Sequence, residues 1–104
     1  MYGAFNCTLF DHQEVVPHVL SMGGSFHVSD ALSASSVWGP TCDSLDVVCR
    51  SVLLPRGLEV GDWLGWRDMG AYTICAASQF NGFELSEVVY TTGRCEEARD
   101  VLRR

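Results

Sequence analysis

Apolar residues in this chain come in short alternating runs cut by glycine and proline turns, and that pattern constrains the fold more than any other feature. Phe5, Cys7 and Leu9 alternate with Asn6 and Thr8, which predicts a half-buried strand over residues 2–10. Leu45, Val47, Cys49 and Leu53 fall on one face of a second run, with Asp46 and Arg50 on the other, and Pro55 and Gly57 close it. Leu58, Val60, Leu64 and Trp66 repeat the alternation. Residues 71–77 are almost continuously apolar, as in a strand covered on both faces. Asn81-Gly82 is a hairpin signal before a last run at residues 85–91. The count is five or six strands and one or two short helices. The expected class is all-β, a mostly antiparallel, barrel-like sheet domain.

Punctuation supplies the rest. Asp11 is placed to cap one helical turn that Pro17 would end. Residues 21–36 are rich in serine and glycine and read as a long mobile connection. The tail differs in kind: Glu96 and Glu97 come early, Arg103 and Arg104 late, an order that suits a short helix and its dipole. The expected division is therefore a β-domain over residues 1–92 and a tail over 93–104. Tyr2-Gly3 opens a strand with no lead-in, so the chain reads as the later part of a larger sheet with unpaired edges.

A chain of 104 residues has room for one small domain, burying roughly 65% of its unfolded surface. Its net charge of −6 provides no stripe to neutralise phosphates, which argues against nucleic acid as a partner. Every basic residue is arginine, so chemistry that needs a lysine amine is excluded within this chain. No run is long and apolar enough to span a membrane. No basic, then apolar, leader precedes the first strand. The expected compartment is thus the reducing cytoplasm, with the five cysteines as thiols. Cys7, Cys42, Cys49, Cys75 and Cys95 contain no Cys-x-x-Cys pair, and His12, His18 and His27 add no paired ligands, so no metal site is expected.

Four segments could carry chemistry. In Gly39-Pro40-Thr41-Cys42-Asp43 a rigid turn sets a thiol beside a carboxylate, a proton donor next to an anchor for a cation. The plainer reading is a packed cysteine and a turn-bonding aspartate. Met69-Gly70-Ala71-Tyr72-Thr73 offers a hydroxyl among small residues, or simply a turn. Phe80 before Asn81-Gly82 is either an interface anchor or a core residue of a hairpin. Asp11 is either a cation ligand or a cap. On pattern alone the plainer reading leads at each segment.

Their joint order changes that balance. Tyr2-Gly3-Ala4-Phe5-Asn6-Cys7, Leu9-Phe10-Asp11-His12, Val37-Trp38-Gly39-Pro40-Thr41-Cys42-Asp43, Val60-Gly61-Asp62-Trp63, Met69-Gly70-Ala71-Tyr72-Thr73 and Phe80-Asn81-Gly82-Phe83 occur in one series. The series resembles the C-terminal β-domain of the eukaryotic-type ornithine decarboxylase family, pyridoxal-phosphate enzymes of polyamine synthesis that make putrescine. The resemblance runs over residues 2–90.

It implies a β/α barrel that carries the cofactor on a lysine outside this chain, and a head-to-tail homodimer with active sites at the subunit boundary. By position, Cys42 would return a proton to the substrate carbon after carbon dioxide leaves. Asp43 and Asp11 would hold the distal ammonium of ornithine. Tyr72 would hydrogen-bond the cofactor phosphate. Gly70 would lie at the dimer contact, and Phe80 would reach the substrate from across the interface. Phe10 stands where the family commonly has tyrosine. The barrel and its lysine are absent, so this chain alone is expected to be inactive. A non-catalytic binding module, of the kind that antizyme inhibitors represent, is the competing reading, with antizyme as partner. A related arginine or lysine decarboxylase is the alternative within the enzyme class.

Overall fold

The computed structural model describes residues 1–21 and 31–91. In chain order it has a short helix α1 (Cys7–Phe10) and four strands, β1 (His18–Ser21), β2 (Leu32–Trp38), β3 (Val47–Pro55) and β4 (Trp63–Gly65). Two single 3-10 turns follow, at Ile74–Ala76 and Phe80–Gly82. The described strands form two antiparallel pairs, β1 with β4 and β2 with β3. The all-β expectation therefore holds, with four described strands in place of five or six.

The β2–β3 ladder is the backbone of the domain. It pairs Leu32 with Pro55, Ala34 with Leu53 and Ser35 with Val52, then slips at two irregularities before Trp38 meets Val47. Those slips decide which residues face inward. Val47, Val48 and Leu54 are buried, whereas Leu45 and Leu53 are exposed. The face predicted from Leu45, Val47, Cys49 and Leu53 is thus only partly the inner one. The outer face of the ladder shows Leu32, Leu53 and Trp38 to solvent. Cys7 joins Val47, Val48 and Leu54 in the core, beside the buried polar side chains Asn6, Thr41, Asp46 and Thr73.

Several sequence expectations fail for local reasons. Residues 2–10 turn instead of extending, because the Asn6 amide donates to the Gly3 carbonyl and the Thr8 hydroxyl donates to the Phe5 carbonyl at 2.8 Å. Such side-chain bonds compete with a strand ladder, and here they win. Asp11 does not open a helix; it ends α1, with its N–H donating to the Cys7 carbonyl. The expected connection over residues 21–36 is already strand from Leu32, where pairing with β3 overrides the serine-rich composition. Its part at 22–30, and the tail helix expected within 93–104, lie outside the described residues.

The run at residues 58–66 shrinks to β4. The Asp62 carboxylate accepts the Glu59 N–H at 2.7 Å and folds residues 59–62 into a turn, leaving Val60 fully exposed. Residues 71–77 form no strand, since the buried Thr73 hydroxyl bonds the carbonyls of Met69 and Gly70 at 3.2 and 3.0 Å. The turn expected at Asn81-Gly82 is present, with positive φ at both residues. Residues 85–91 stay irregular, and Leu85, Val88, Val89 and Tyr90 are exposed.

Candidate functional site

The turn that joins β2 to β3 is built around one buried carboxylate. Asp46 is 1% exposed. Its backbone carbonyl accepts the Gly39 N–H at 2.7 Å and closes the turn. One carboxylate oxygen accepts both the Thr41 N–H, at 3.1 Å, and the Thr41 hydroxyl, at 2.7 Å. The other accepts the Met1 amino group at 2.6 Å. Burial opposes the charged form of Asp46, but these donors outweigh it and hold the carboxyl below its ordinary range. A Cβ on Gly39 would overlap the Asp46 carboxylate, so the turn has room for glycine only.

Cys42 sits at the exposed tip of this turn, in the left-handed region at φ 60°. Its sulfur lies 3.9 Å from the Pro40 carbonyl. On one side, the Thr41 carbonyl accepts the Asn81 amide at 2.8 Å. On the other, Asp43 accepts the Leu45 N–H at 3.0 Å and the Tyr2 hydroxyl. The bond from Tyr2 holds the Asp43 carboxyl below its ordinary range, and the same bond raises Tyr2. The Tyr2 ring stacks on Phe80, with centroids 4.1 Å apart. A cavity of about 280 Å³ opens beside these groups, lined by Tyr2, Thr41, Asp46, Trp66 and Phe80 among others. The Trp66 indole N–H is buried and has no hydrogen-bond partner among the described residues.

The structure thus brings Cys42, Asp43 and Phe80 into one cluster. Tyr72 and Gly70 lie on a separate turn. Tyr72 has φ 51° and is 54% exposed. A Cβ on Gly70 would have no atom within 4 Å among the described residues other than its chain neighbours. Asp11 is exposed at the end of α1, next to the exposed Phe10. A larger cavity, about 420 Å³, runs along residues 13–18 and 67–69, away from the Cys42 turn.

The sequence assigned no role to Tyr2, Thr41, Asp46 or Asn81, which assemble the cluster. Asn81-Gly82 was legible as a turn, but nothing in the sequence connects it to a residue 40 positions earlier.

The pyridoxal-dependent decarboxylase C-terminal sheet domain matches residues 1–70. Ornithine decarboxylase of Schizosaccharomyces pombe is 50% identical over 94 residues, covering 86% of this chain and 22% of that protein. Antizyme inhibitor 2 of Xenopus laevis is also 50% identical over 94 residues, covering 90% and 20%. Among solved structures, the lysine/ornithine decarboxylase of Vibrio vulnificus complexed with cadaverine superposes with a TM-score of 0.74 at 36% identity, over 88% of this chain and 23% of that one. The Paramecium bursaria Chlorella virus arginine decarboxylase bound to agmatine gives 0.68 at 36% identity, over 79% and 21%. The chain spans about a fifth of the length of the curated relatives it matches.

Proposed function

This chain belongs to the pyridoxal-dependent decarboxylases, in their C-terminal sheet domain, and from that membership we propose that it is the C-terminal portion of an ornithine decarboxylase of polyamine synthesis. The observation that carries the reading is the Asp46-built turn, which offers a thiol and a carboxylate side by side at its tip. The parent enzyme is a cytoplasmic homodimer, and the lysine that binds pyridoxal phosphate lies outside this chain, which has none. Tyr72 fits the cofactor as a hydroxyl donor to its phosphate, the only part of the group these residues would hold. The cofactor, when bound, supplies the electron sink for loss of carbon dioxide.

The chain's own residues then do three things. Asp43 and Asp11 hold the distal ammonium of ornithine by charge-assisted hydrogen bonds. The bonds from Tyr2 and Leu45 leave each Asp43 oxygen a second lone pair for this purpose. Cys42 gives its thiol proton to the substrate α carbon after carbon dioxide leaves. A thiol S–H is a proton donor that a fixed turn can hold at a reacting carbon. Phe80 and Gly70 meet the second subunit.

A second reading rests on the Xenopus relative: a non-catalytic module that binds antizyme. A chimera separates the two. The matching C-terminal part of the S. pombe ornithine decarboxylase is replaced by this chain, and carbon dioxide release is measured from ornithine, lysine and arginine. Turnover with ornithine preferred supports the lyase. Preference for lysine or arginine reassigns the substrate. A folded, dimeric, inactive chimera that binds antizyme favours the module.

A further inference from the structure

Cys42 has a backbone conformation that few side chains tolerate, and such a residue persists only where its surroundings over-determine it. The over-determination has an identifiable source. Two consecutive residues of the Phe80–Gly82 turn hold the two neighbours of Cys42. Asn81 donates its amide to the carbonyl of Thr41 at 2.8 Å. Phe80 stacks on the ring of Tyr2, whose hydroxyl donates to Asp43. The first grip acts directly across 40 positions of sequence, the second is relayed through Tyr2 from the far end of the chain, and both bypass Cys42 itself, which stays exposed.

We propose that the Phe80–Gly82 turn is a clasp on the Cys42 turn and that Asn81 is its positioning residue, acting through Thr41 to fix where the thiol and the Asp43 carboxylate point. The proposal deepens the reading of Cys42 and Asp43 as the reactive pair and rests on it. Its competitor is that Asn81 is present only because asparagine tolerates its own φ of 60°.

Asn81→Gly and Asn81→Asp separate the two, because both replacements accept that backbone and neither carries the amide donor. In the isotope-labelled full chain, NMR follows amide exchange and the ionisation of Tyr2, identified by Tyr2→Phe. In both variants the Thr41, Leu45 and Asp46 amides should exchange faster by about tenfold, the loss of one net hydrogen bond. Tyr2, no longer facing a fixed Asp43, should ionise closer to an ordinary tyrosine. The β2–β3 ladder amides should keep their wild-type rates. Unchanged turn amides and Tyr2 ionisation in Asn81→Gly would overturn the proposal in favour of the backbone explanation. Ladder amides that quicken as much as the turn would overturn it in favour of a general role in stability. Neither measurement uses turnover, so failure here and failure of the lyase reading are separate results.

Discussion

The carboxylate of Asp46 occupies the space that any side chain at position 39 would need, so Gly39 and Asp46 are one structural unit. Gly39→Ala should push the carboxylate off Thr41 and cost about 2–3 kcal/mol, the range for a broken buried polar network. Asp46→Ala should cost a similar amount. Because each breaks the same network, the double variant should cost far less than the sum. Urea unfolding of the four proteins reads the coupling, and strict additivity would rule out the shared unit.

Thr41 supplies two of the donors to Asp46, and only one comes from its side chain. Thr41→Val should cost about 1–2 kcal/mol by leaving a buried carboxylate oxygen with one donor fewer. Thr41→Ser keeps the hydroxyl and should stay within about 0.5–1 kcal/mol of wild type. Equal losses in the two would point to packing of the methyl group instead of the hydrogen bond.

Asp46 and Asp43 both ionise below their ordinary range in the folded chain. The unfolded carboxylates therefore bind protons more readily. The stability they contribute is present above about pH 4, the unfolded value, and is lost as pH falls further through their folded range. Thermal melts between pH 2 and 7 should show a steep acid limb, and Asp46→Asn should flatten it. Tyr2 shifts the other way. Its contribution is intact below about pH 10 and is lost as pH rises through its folded value.

Within the chimera, Cys42→Ala should lower product formation by about 10²–10⁴-fold, the usual worth of a positioned proton donor, with little change in substrate binding. Asp43→Ala should chiefly raise KM for ornithine. If the two act across the subunit boundary, mixing the Cys42→Ala chimera with a chimera lacking the barrel lysine should restore part of the activity. One site of each mixed dimer then holds both intact halves. Mixed dimers that form and stay inactive would exclude a shared site.

The isolated chain should release no carbon dioxide above the free-cofactor background, since it has no lysine to bind the cofactor. It should also self-associate. Leu32, Trp38 and Leu53 line the open face of β2–β3, and Val88, Val89 and Tyr90 are exposed beyond the last described turn. Apolar surface and unpaired edges of this kind drive association. Sedimentation at micromolar concentration tests it, and a lone cooperative monomer would contradict it.

What was legible in the sequence was whatever depends on period and punctuation. The presence of β3 and its Pro55 stop were readable, though not which of its residues face inward, and so was the Asn81-Gly82 turn. The run at residues 2–10 has the same alternation as β3 yet turns, because Asn6 and Thr8 find carbonyls three residues back. Residues 71–77 lose their strand to a single threonine hydroxyl. These contests between side chain and backbone are close in energy, and period cannot weigh them. The Cys42-Asp43 pair was visible as a motif. Its supports were not, since the grip of Asn81 on Thr41 and of Tyr2 on Asp43 exists only once the chain has folded back on itself.

The left-handed backbone at Cys42 sets endurance against reactivity at one position. A non-glycine residue there costs about 1–2 kcal/mol, which glycine would recover. Cys42→Gly should therefore raise the melting temperature of the chain while discarding its one thiol at the turn tip. A screen that ranks variants of this protein by heat resistance would select against the residue proposed to do its chemistry.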